Sequence, residues 1–526
     1  MSAWLRARSS LFPRGRSRLL PAAALAAVLL FTALTAQFWH PVYGFTAFFQ
    51  VDPTLNETKV AAFHQHPVYV YPDIGAYDGC FYSQLAVDPT LRDPQFPATL
   101  DNPAYRARRI LPAATAWLLG GGDAGRAITL YSWLNLGAWA ALALLLWRAL
   151  RVTTGHAWLG WAGVLFSSGA LSSVRLALTD LIACLLLAFA LLCAERGRKF
   201  SALFGVAAAA LTRETGLLGV AGLVKSPWLS WKNAVRVTLT ALPLALWLLY
   251  VHRQLGPSDA GARNFTLPLA GWLQKSWELR FAFGGPADLS LVVTTLLAHV
   301  GLTTQAIYLV WRRDRNDRWW RLGFTHVVLL AFLGPAVWEG FPGAATRVLL
   351  PLTLAFNLLA VRRRAALAWL LVGNLGVGAG LLSLRDVPYD PRELAAASVA
   401  AGGVIVRVED GFYNKESAKS HTWSWAGGSA TVRLEGWPKD QAASVRLRFG
   451  MRALDEREVS LWQHGREVWR GEIGRKRTTF EVPVSLAAGA AVLTFATERP
   501  GVPESPAAGA RALAFALYDV EVLSAR

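Results

Sequence analysis

The sequence has little charge and few cysteines, and both shortages exclude classes of protein. Only 17% of its 526 residues are charged, whereas 54% are hydrophobic. Soluble globular domains carry about 25% charged residues, so lipid is the expected solvent for most of this chain. Two of the three cysteines, Cys184 and Cys193, lie inside apolar segments. The third is Cys80, and no disulfide framework or cysteine-based metal site is predicted.

Acidic residues are also scarce relative to basic ones, and the formal net charge is +18. A nucleic-acid-binding protein gathers its basic residues on one soluble face, but here they recur in short groups between apolar runs. That arrangement is typical of membrane topology signals, because cytoplasmic loops concentrate Lys and Arg. No nucleic-acid partner is predicted. His64, His66 and Asp73 lack the spacing of metal ligands, and no cofactor is predicted, although a divalent metal stays open.

The N-terminus predicts the orientation of the chain. Residues 1–18 are basic and precede an apolar run at about 19–38. About 20 apolar residues are enough to cross a hydrocarbon core about 30 Å thick, so we predict a cytoplasmic N-terminus and a first helix that crosses outward. A cleaved signal peptide is the alternative. The long run and the absence of a clear small-x-small site favour an uncleaved helix.

Further apolar runs follow, and every second loop between them is basic. The predicted spans are 127–147, 156–175, 177–194, 200–212, 214–225, 236–252, 289–311, 322–338, 347–361 and 365–384. With the first helix they give about eleven crossings and place the C-terminus outside. The runs 200–212 and 214–225 are short, since about 12 residues reach only about 18 Å. They are predicted to form either two short spans or a re-entrant pair.

Two external segments are predicted, the loop 39–126 and the region after residue 385. Residues 386–403 form a predicted linker, and 404–526 contain short runs in which polar and apolar residues alternate. That pattern predicts a periplasmic all-β sandwich of about eight strands, similar to a jelly roll. The predicted fold is thus a polytopic α-helical transmembrane domain, 19–385, followed by this sandwich. Trp423 and Trp425 share a strand face and are predicted to pack in a core more readily than to stack on sugars.

Ionisable residues in membrane spans cost about 2.5 to 3.5 kcal/mol each, so their presence suggests function. The predicted topology places them at the external membrane face: Arg175, Asp180, Arg213, Glu214, Glu339 and Arg347. The loop 39–126 faces the same side and contains Asp73, Asp78, Asp88, Asp93, Asp101, Tyr105, Arg106, Arg108 and Arg109. A carboxylate can act as general base, and Arg can bind a phosphate bidentately. This combination suits group transfer from a lipid phosphate.

The blocks YDGCFYSQLAVDP at 77–89 and DNPAYRARRILP at 101–112, together with the architecture, resemble the GT-C superfamily of membrane glycosyltransferases. The resemblance covers about residues 15–385. It implies sugar donors carried on polyprenyl phosphate and an acidic catalytic residue in the first external loop. By this resemblance Asp78 is the expected base with Asp73 as its rival, Arg213 holds the donor phosphate, and Arg347 is a second phosphate contact. Cys80 departs from the family pattern, which more often has Gln there.

The predicted function is transfer of a sugar from a polyprenyl-phosphate donor to a cell-envelope glycan, lipid or protein at the periplasmic face of a bacterial inner membrane. A transporter or flippase of lipid-linked sugars and a noncatalytic assembly scaffold are the alternatives. The predicted catalytic residues are Asp78 and Asp73, and the predicted substrate or phosphate contacts are Arg213, Glu214, Arg347, Tyr105, Arg106, Arg109 and Asp180.

Simpler structural interpretations stay open for the same residues. Asp78 and Asp73 are each compatible with a turn, and Arg213 with Glu214 is compatible with an ion pair between two short helices. Arg175 and Asp180 are adjacent enough to pair across a helical turn. Glu339 and Arg347 are compatible with a helix end. The remaining arginines are compatible with anchors near lipid headgroups: Arg106, Arg108 and Arg109.

Overall fold

The computed structural model describes residues 16–71, 74–258, 261–283, 288–389, 404–414, 416–418, 421–436, 443–487, 489–505 and 509–524. Asp73, most of the predicted linker and the first basic residues lie outside the described residues. The chain divides into two units. The first comprises Met1–Phe38, Phe45–Phe63 and Val68–Pro388, and the second comprises Trp39–Gly44, His64–Pro67 and Tyr389–Arg526.

The first unit is helical, and several of its helices begin at good N-cap residues. The Asp123 side chain accepts a hydrogen bond from the Arg126 backbone N–H at the start of the helix Ala124–Leu150, and Asp317 caps the helix Arg318–Phe332 in the same way. The helices are α1 (Arg16–Ala36), α2 (Pro53–Thr58), α3 (Ala61–His64), α4 (Asp78–Leu85), α5 (Phe96–Thr99), α6 (Pro103–Ala107), α7 (Leu111–Leu119), α8 (Ala124–Leu150), α9 (Gly155–Leu165), α10 (Ser168–Arg175), α11 (Asp180–Glu195), α12 (Lys199–Thr212), α13 (Trp231–Leu255), α14 (Ala270–Ala282), α15 (Leu289–Trp311), α16 (Arg318–Phe332), α17 (Pro335–Trp338), α18 (Ala345–Val348), α19 (Leu350–Arg362), α20 (Leu367–Gly373) and α21 (Val377–Leu382).

Five helical segments in the described residues are long and apolar enough to cross a membrane. They are Leu19–Ala36, Ala124–Leu150, Gly155–Arg175, Trp231–Leu255 and Leu289–Trp311. Large apolar side chains on α1 and α13 are exposed, among them Leu25, Leu29, Leu242 and Leu246. Exposed apolar surface of this extent is typical of lipid contact. The chain is therefore associated with a membrane.

Five segments are fewer than the eleven crossings that the sequence predicts. The predicted spans 177–194 and 322–338 form helices of 16 and 15 residues, and the run 214–225 forms a 3₁₀-helix at Glu214–Gly222 instead of an α-helix. The predicted span 156–175 corresponds to one of the five segments, although the helix is interrupted between α9 and α10. Hydropathy counts apolar residues along the chain, and it does not detect such interruptions.

The first predicted loop, 39–126, is folded into short helices, α2 to α7. Many of its aromatic residues are buried, among them Phe48, Phe49, Phe63 and Phe96. Gly79 follows Asp78 in α4, and a Cβ atom at Gly79 would lie 2.1 Å from the Leu176 carbonyl oxygen. The absence of a side chain therefore lets α4 contact the backbone just after α10, and this contact fixes where Asp78 lies.

The second unit is a β-sandwich. Two antiparallel five-stranded sheets have the orders β1-β4-β9-β6-β7 and β2-β3-β12-β5-β8, and β10 pairs with β11. The strands are β1 (Ile405–Val408), β2 (Glu416–Ala418), β3 (His421–Ala426), β4 (Ser429–Glu435), β5 (Ala443–Arg452), β6 (Arg457–Gln463), β7 (Arg466–Ile473), β8 (Thr478–Leu486), β9 (Ala490–Ala496), β10 (Val502–Pro503), β11 (Ala512–Leu513) and β12 (Phe515–Ser524).

The two large sheets share one core, to which Val432 and Leu493 contribute from one sheet and Leu447 and Leu517 from the other. The β-sandwich prediction is confirmed at this level. The described residues contain twelve strands, more than the eight or so predicted, and three of them, β2, β10 and β11, are too short to show alternation. Trp425 is buried as predicted, in a small cluster with Tyr518.

Substitution of Gly169 tests whether the close contact between two helices stabilises the first unit. A Cβ atom at Gly169 in α10 would lie 2.2 Å from the Thr346 carbonyl oxygen, whereas one at Gly137 in α8 would meet nothing within 4 Å. Gly169→Ala should lower thermal stability in detergent by about 1 to 3 kcal/mol, the usual cost of overpacking. Gly137→Ala should not lower it, since Ala favours helix over Gly. Equal melting temperatures for the two variants would contradict the contact.

Candidate functional site

Asp78 and Asp101 share one arginine. The Arg106 Nη1 atom lies 2.8 Å from Asp78 Oδ1, and Arg106 also donates to both oxygens of Asp101, at 2.8 and 2.6 Å. The Arg106 side chain is 9% exposed, whereas that of Asp78 is 30% exposed. One buried guanidinium thus balances two carboxylates, so this group has one excess negative charge, and both Asp78 and Asp101 reach solvent.

Neighbouring arginines control the ionisation of Asp78, which lies in the predicted external loop. Burial by itself raises the pKa of this carboxyl, but the charges of Arg106, Arg347 and Arg109 outweigh burial and hold the pKa below its usual 3.8. A carboxyl with a lowered pKa is ionised throughout the physiological range. Asp78 is therefore ready to accept a proton without first losing one.

Around Asp180 the numbers are reversed, with one carboxylate beside two arginines. Its side chain is 2% exposed, and its two oxygens lie 2.5 Å from Arg213 Nη1 and 3.9 Å from Arg347 Nη1. Arg213 connects α12 to the following 3₁₀-helix, and its buried Nε atom has no hydrogen-bond partner among the described residues. Two guanidinium groups share one carboxylate here, so this group has one excess positive charge.

Tyr77 joins the two groups, and sequence reasoning missed it. Arg347 donates from Nη2 to the Tyr77 hydroxyl at 2.7 Å, and Tyr77 immediately precedes Asp78. The excess negative charge at Asp78 and the excess positive charge at Asp180 are therefore neighbours. The YDG block contains Tyr77, but a tyrosine beside an acid carries no sequence signal for a partner 270 residues away.

Arg109, Tyr105 and Glu214 were predicted substrate contacts, and the structure brings them together as a neutral cluster. Arg109 donates to Glu214 Oε2 at 3.1 Å, to the Tyr105 hydroxyl at 3.0 Å and to the Tyr82 hydroxyl. Its side chain is 7% exposed. These contacts satisfy the Arg109 guanidinium internally, which suits a supporting role beside the two charged groups.

Several simpler interpretations are wrong. Arg213 and Glu214 do not form an ion pair with each other, because they bind Asp180 and Arg109 respectively. Arg175 donates to the Tyr71 hydroxyl at 2.9 Å instead of pairing with Asp180.

The anchor interpretation also fails for two of the three arginines in the first loop. Arg106 and Arg109 are buried, so they are not headgroup anchors, whereas Arg108 donates to the Ser258 carbonyl at 3.3 Å. Glu339 is the C-cap residue of α17, and Arg347 lies in the last turn of α18. The helix-end interpretation therefore agrees with the structure for both residues, although they lie at the ends of two different helices.

No group of three or more His, Cys, Asp or Glu side chains in the described part of the chain is placed to hold a metal ion. Comparison with known proteins gives no match to any family model and none to a curated protein. The GT-C resemblance therefore depends on the two sequence blocks and the architecture.

Asp180 provides a stability test of the buried group. Asp180→Asn would leave the buried Arg347 guanidinium and the partly exposed Arg213 guanidinium without their shared counter-charge, and breaking a buried ion pair typically costs about 3 to 5 kcal/mol. Asp314→Asn is the matched control, because Asp314 is 43% exposed and pairs with Arg363 at 2.8 Å. Exposed pairs contribute about 0 to 1 kcal/mol. Thermal unfolding in detergent should separate the two variants clearly, and similar melting temperatures would show that Asp180 is not the required counter-charge.

Proposed function

We propose that this chain is a membrane glycosyltransferase of the GT-C type. It transfers a sugar from a polyprenyl-phosphate donor to a hydroxyl group of a cell-envelope glycan, lipid or protein. The observation that supports the proposal most is the pairing of opposite excess charges, negative at Asp78 and positive at Asp180 with its two arginines. Tyr77 holds them side by side.

These two charges match the two ends of a glycosyl transfer. The acceptor oxygen attacks the anomeric carbon of the donor sugar while its proton passes to the Asp78 carboxylate. The bond between the anomeric carbon and the phosphate oxygen breaks, and the polyprenyl phosphate leaves with one additional negative charge. Arg213 and Arg347 stabilise this charge through charge-assisted hydrogen bonds. Asp180 lies beside both guanidinium groups and balances part of their charge.

The low pKa of Asp78 limits when it can act. An ion-paired carboxylate is a weak base, so it accepts the proton only after bonding to the anomeric carbon has made the attacking hydroxyl acidic. Arg106 contacts the Asp78 carboxylate on one side. The Asp78 side chain is 30% exposed, which leaves space for an acceptor beside it. Proton transfer is therefore expected late in the reaction.

The proposal includes a topology that brings this site to the outer face of a bacterial inner membrane. It requires a cytoplasmic N-terminus, a periplasmic β-sandwich and an odd number of crossings, which is eleven if the short pair α12 and Glu214–Gly222 crosses the membrane and nine if it re-enters. The basic groups between apolar runs support that orientation. The partners are then the lipid-linked sugar, its acceptor and membrane lipids.

Asp78→Asn tests the base directly. Cells with the wild type, the deletion, Asp78→Asn or Asp123→Asn should be compared by surface-glycan profiling at equal membrane levels of protein. Asp123 is a matched control because its side chain is 50% exposed and caps α8 in the same loop, and Asn caps equally well. Loss of a general base typically lowers the rate about 10² to 10⁴-fold. Asp78→Asn should therefore reproduce the deletion, and Asp123→Asn should match the wild type.

If Asp78→Asn behaves like the wild type while the deletion changes the glycan, Asp78 is not the base. A transporter or a scaffold then explains the phenotype better. If the deletion changes no surface glycan, the proposed function itself is wrong.

Arg106 gives a pH test of the same site. Because the pKa of Asp78 is lowered, the wild-type rate should not fall between about pH 8 and pH 5. Arg106→Gln removes a positive charge that lowers this pKa, so the carboxyl should protonate at higher pH and the acid-side loss of activity should move toward neutrality. Arg106→Lys keeps the charge and should shift less. Transfer assays on membranes across this range would measure the profiles, and identical profiles for Gln and wild type would refute the coupling.

A further inference from the structure

The helix α14 (Ala270–Ala282) exposes a stripe of large apolar side chains. It lies between α13 and α15, which are both long and apolar enough to cross a membrane, and no span is predicted between residues 252 and 289. Leu273, Trp277 and Phe281 are 58%, 62% and 60% exposed. Residues four positions apart share one face of a helix, so these three side chains form one continuous surface, the apolar stripe.

Two side-chain contacts fix where α14 lies along α15. Trp272 Nε1 donates to Thr303 Oγ1 at 3.0 Å, and Ser276 Oγ lies 2.8 Å from His299 Nε2. The contact on α15 moves back toward its first residue as α14 advances, so the two helices run antiparallel where they touch. The helix α14 therefore begins beside the middle of α15 and runs toward the start of that helix.

The contact with Thr303 gives the depth at which α14 begins. The 23 residues of α15 make a helix about 34 Å long at 1.5 Å per residue, close to the thickness of a hydrocarbon core of about 30 Å. Thr303 lies about 21 Å along this helix from its first residue, Leu289. When α15 crosses the membrane, Thr303 is inside the lipid, and so is the first turn of α14.

The backbone before α14 is suited to that depth. Non-helical backbone is tolerated within a membrane only where the protein satisfies its polar groups. The Thr266 N–H donates to the Phe332 carbonyl at the end of α16, at 3.0 Å. Close contact with the same end continues into α14, because a Cβ atom at Gly271 would lie 2.2 Å from the Leu333 carbonyl oxygen.

The charged side chains of α14 are also arranged for a helix that rises out of the lipid. Lys275 is 4% exposed and donates from Nζ to the Gly340 carbonyl at 2.9 Å, so it faces the protein. Glu278 and Arg280 are exposed, but they lie nearer the end of the helix, where long side chains can extend to the headgroups. The Arg280 guanidinium lies 5.7 Å from the centre of the Trp277 ring, and Trp favours the membrane–water interface.

We propose that α14 is a re-entrant helix, and that its apolar stripe contacts the acyl chains of one leaflet. The chain enters the lipid after α13 and returns to the same side before α15, with Leu273 deepest and Phe281 nearest the headgroups. Lipid is the occupant that the surroundings favour, because exposed apolar surface continues onto α15 at Val300 and Ile307. This contact is independent of whether the chain is a glycosyltransferase.

Spin labels at single introduced cysteines test the depth of the stripe. The full chain should be reconstituted in phosphatidylcholine vesicles with a nitroxide at Leu273→Cys, Trp277→Cys or Phe281→Cys. Collisions with oxygen, which concentrates in hydrocarbon, are compared with collisions with a water-soluble nickel chelate. Oxygen should be favoured at all three positions, most at 273 and least at 281. The native cysteines Cys80, Cys184 and Cys193 are buried, so the unsubstituted chain should take up no label.

Two further variants calibrate the measurement. Leu246→Cys is the lipid control, because Leu246 is 58% exposed on α13, and Lys476→Cys is the water control, because Lys476 is exposed between β7 and β8. All five substitutions replace exposed side chains, so they should leave the melting temperature unchanged. Any two of the three stripe positions are enough to establish the gradient.

Three outcomes would overturn the proposal. Nickel accessibility like that of Lys476→Cys would show that the stripe faces water. Equal and shallow depths at the three positions would show a helix lying along the membrane surface. Low collision rates with both reagents would show that protein, such as a second copy of the chain, covers the stripe.

Discussion

Burial of Asp180 between two arginines is the interaction on which the architecture of the candidate site depends. A buried guanidinium without a counter-charge is costly, and here one carboxylate serves two of them, which come from distant parts of the chain. Arg213 ends α12 and Arg347 lies in α18, while Asp180 begins α11. The three elements must therefore meet for the unit to be stable, and the same meeting concentrates positive charge.

The neighbouring carboxylates are also paired with arginines. Arg106 is shared by Asp78 and Asp101, and Arg109 is matched to Glu214. Together with Asp180, Arg213 and Arg347 they make four arginines and four carboxylates, whose charges sum to zero. The positive and negative charges are nevertheless concentrated at different positions. A network whose charges sum to zero has a smaller free-energy cost of burial, and it can still present a negative group beside a positive one. A site that must accept a proton and stabilise a leaving phosphate needs this property.

Close backbone contact makes the network possible. Gly79 allows α4 to reach the backbone after α10, and Gly169 allows α10 to reach α18. These contacts bring Asp78 and Arg347 toward one another without long side chains between them.

The sequence by itself determined the class of the protein. Low charge, long apolar runs and alternating runs after residue 404 indicate a membrane-associated helical unit followed by a β-rich unit, and the fold agrees at that level. Contact with lipid or water favours apolar or polar residues at each position, so these patterns are visible in the sequence. The sequence also indicated most residues of the candidate site, because carboxylates and arginines stand out in otherwise apolar segments.

Only the tertiary structure decided how these residues pair. Arg213 binds Asp180 instead of its neighbour Glu214, and Tyr77 contacts an arginine far along the chain. The breaks between α9 and α10 and between α20 and α21 were also hidden, because a run can be apolar without being one continuous helix. Pairing and interruption depend on which distant elements meet, and that is settled by packing in three dimensions, which local composition and periodicity do not encode.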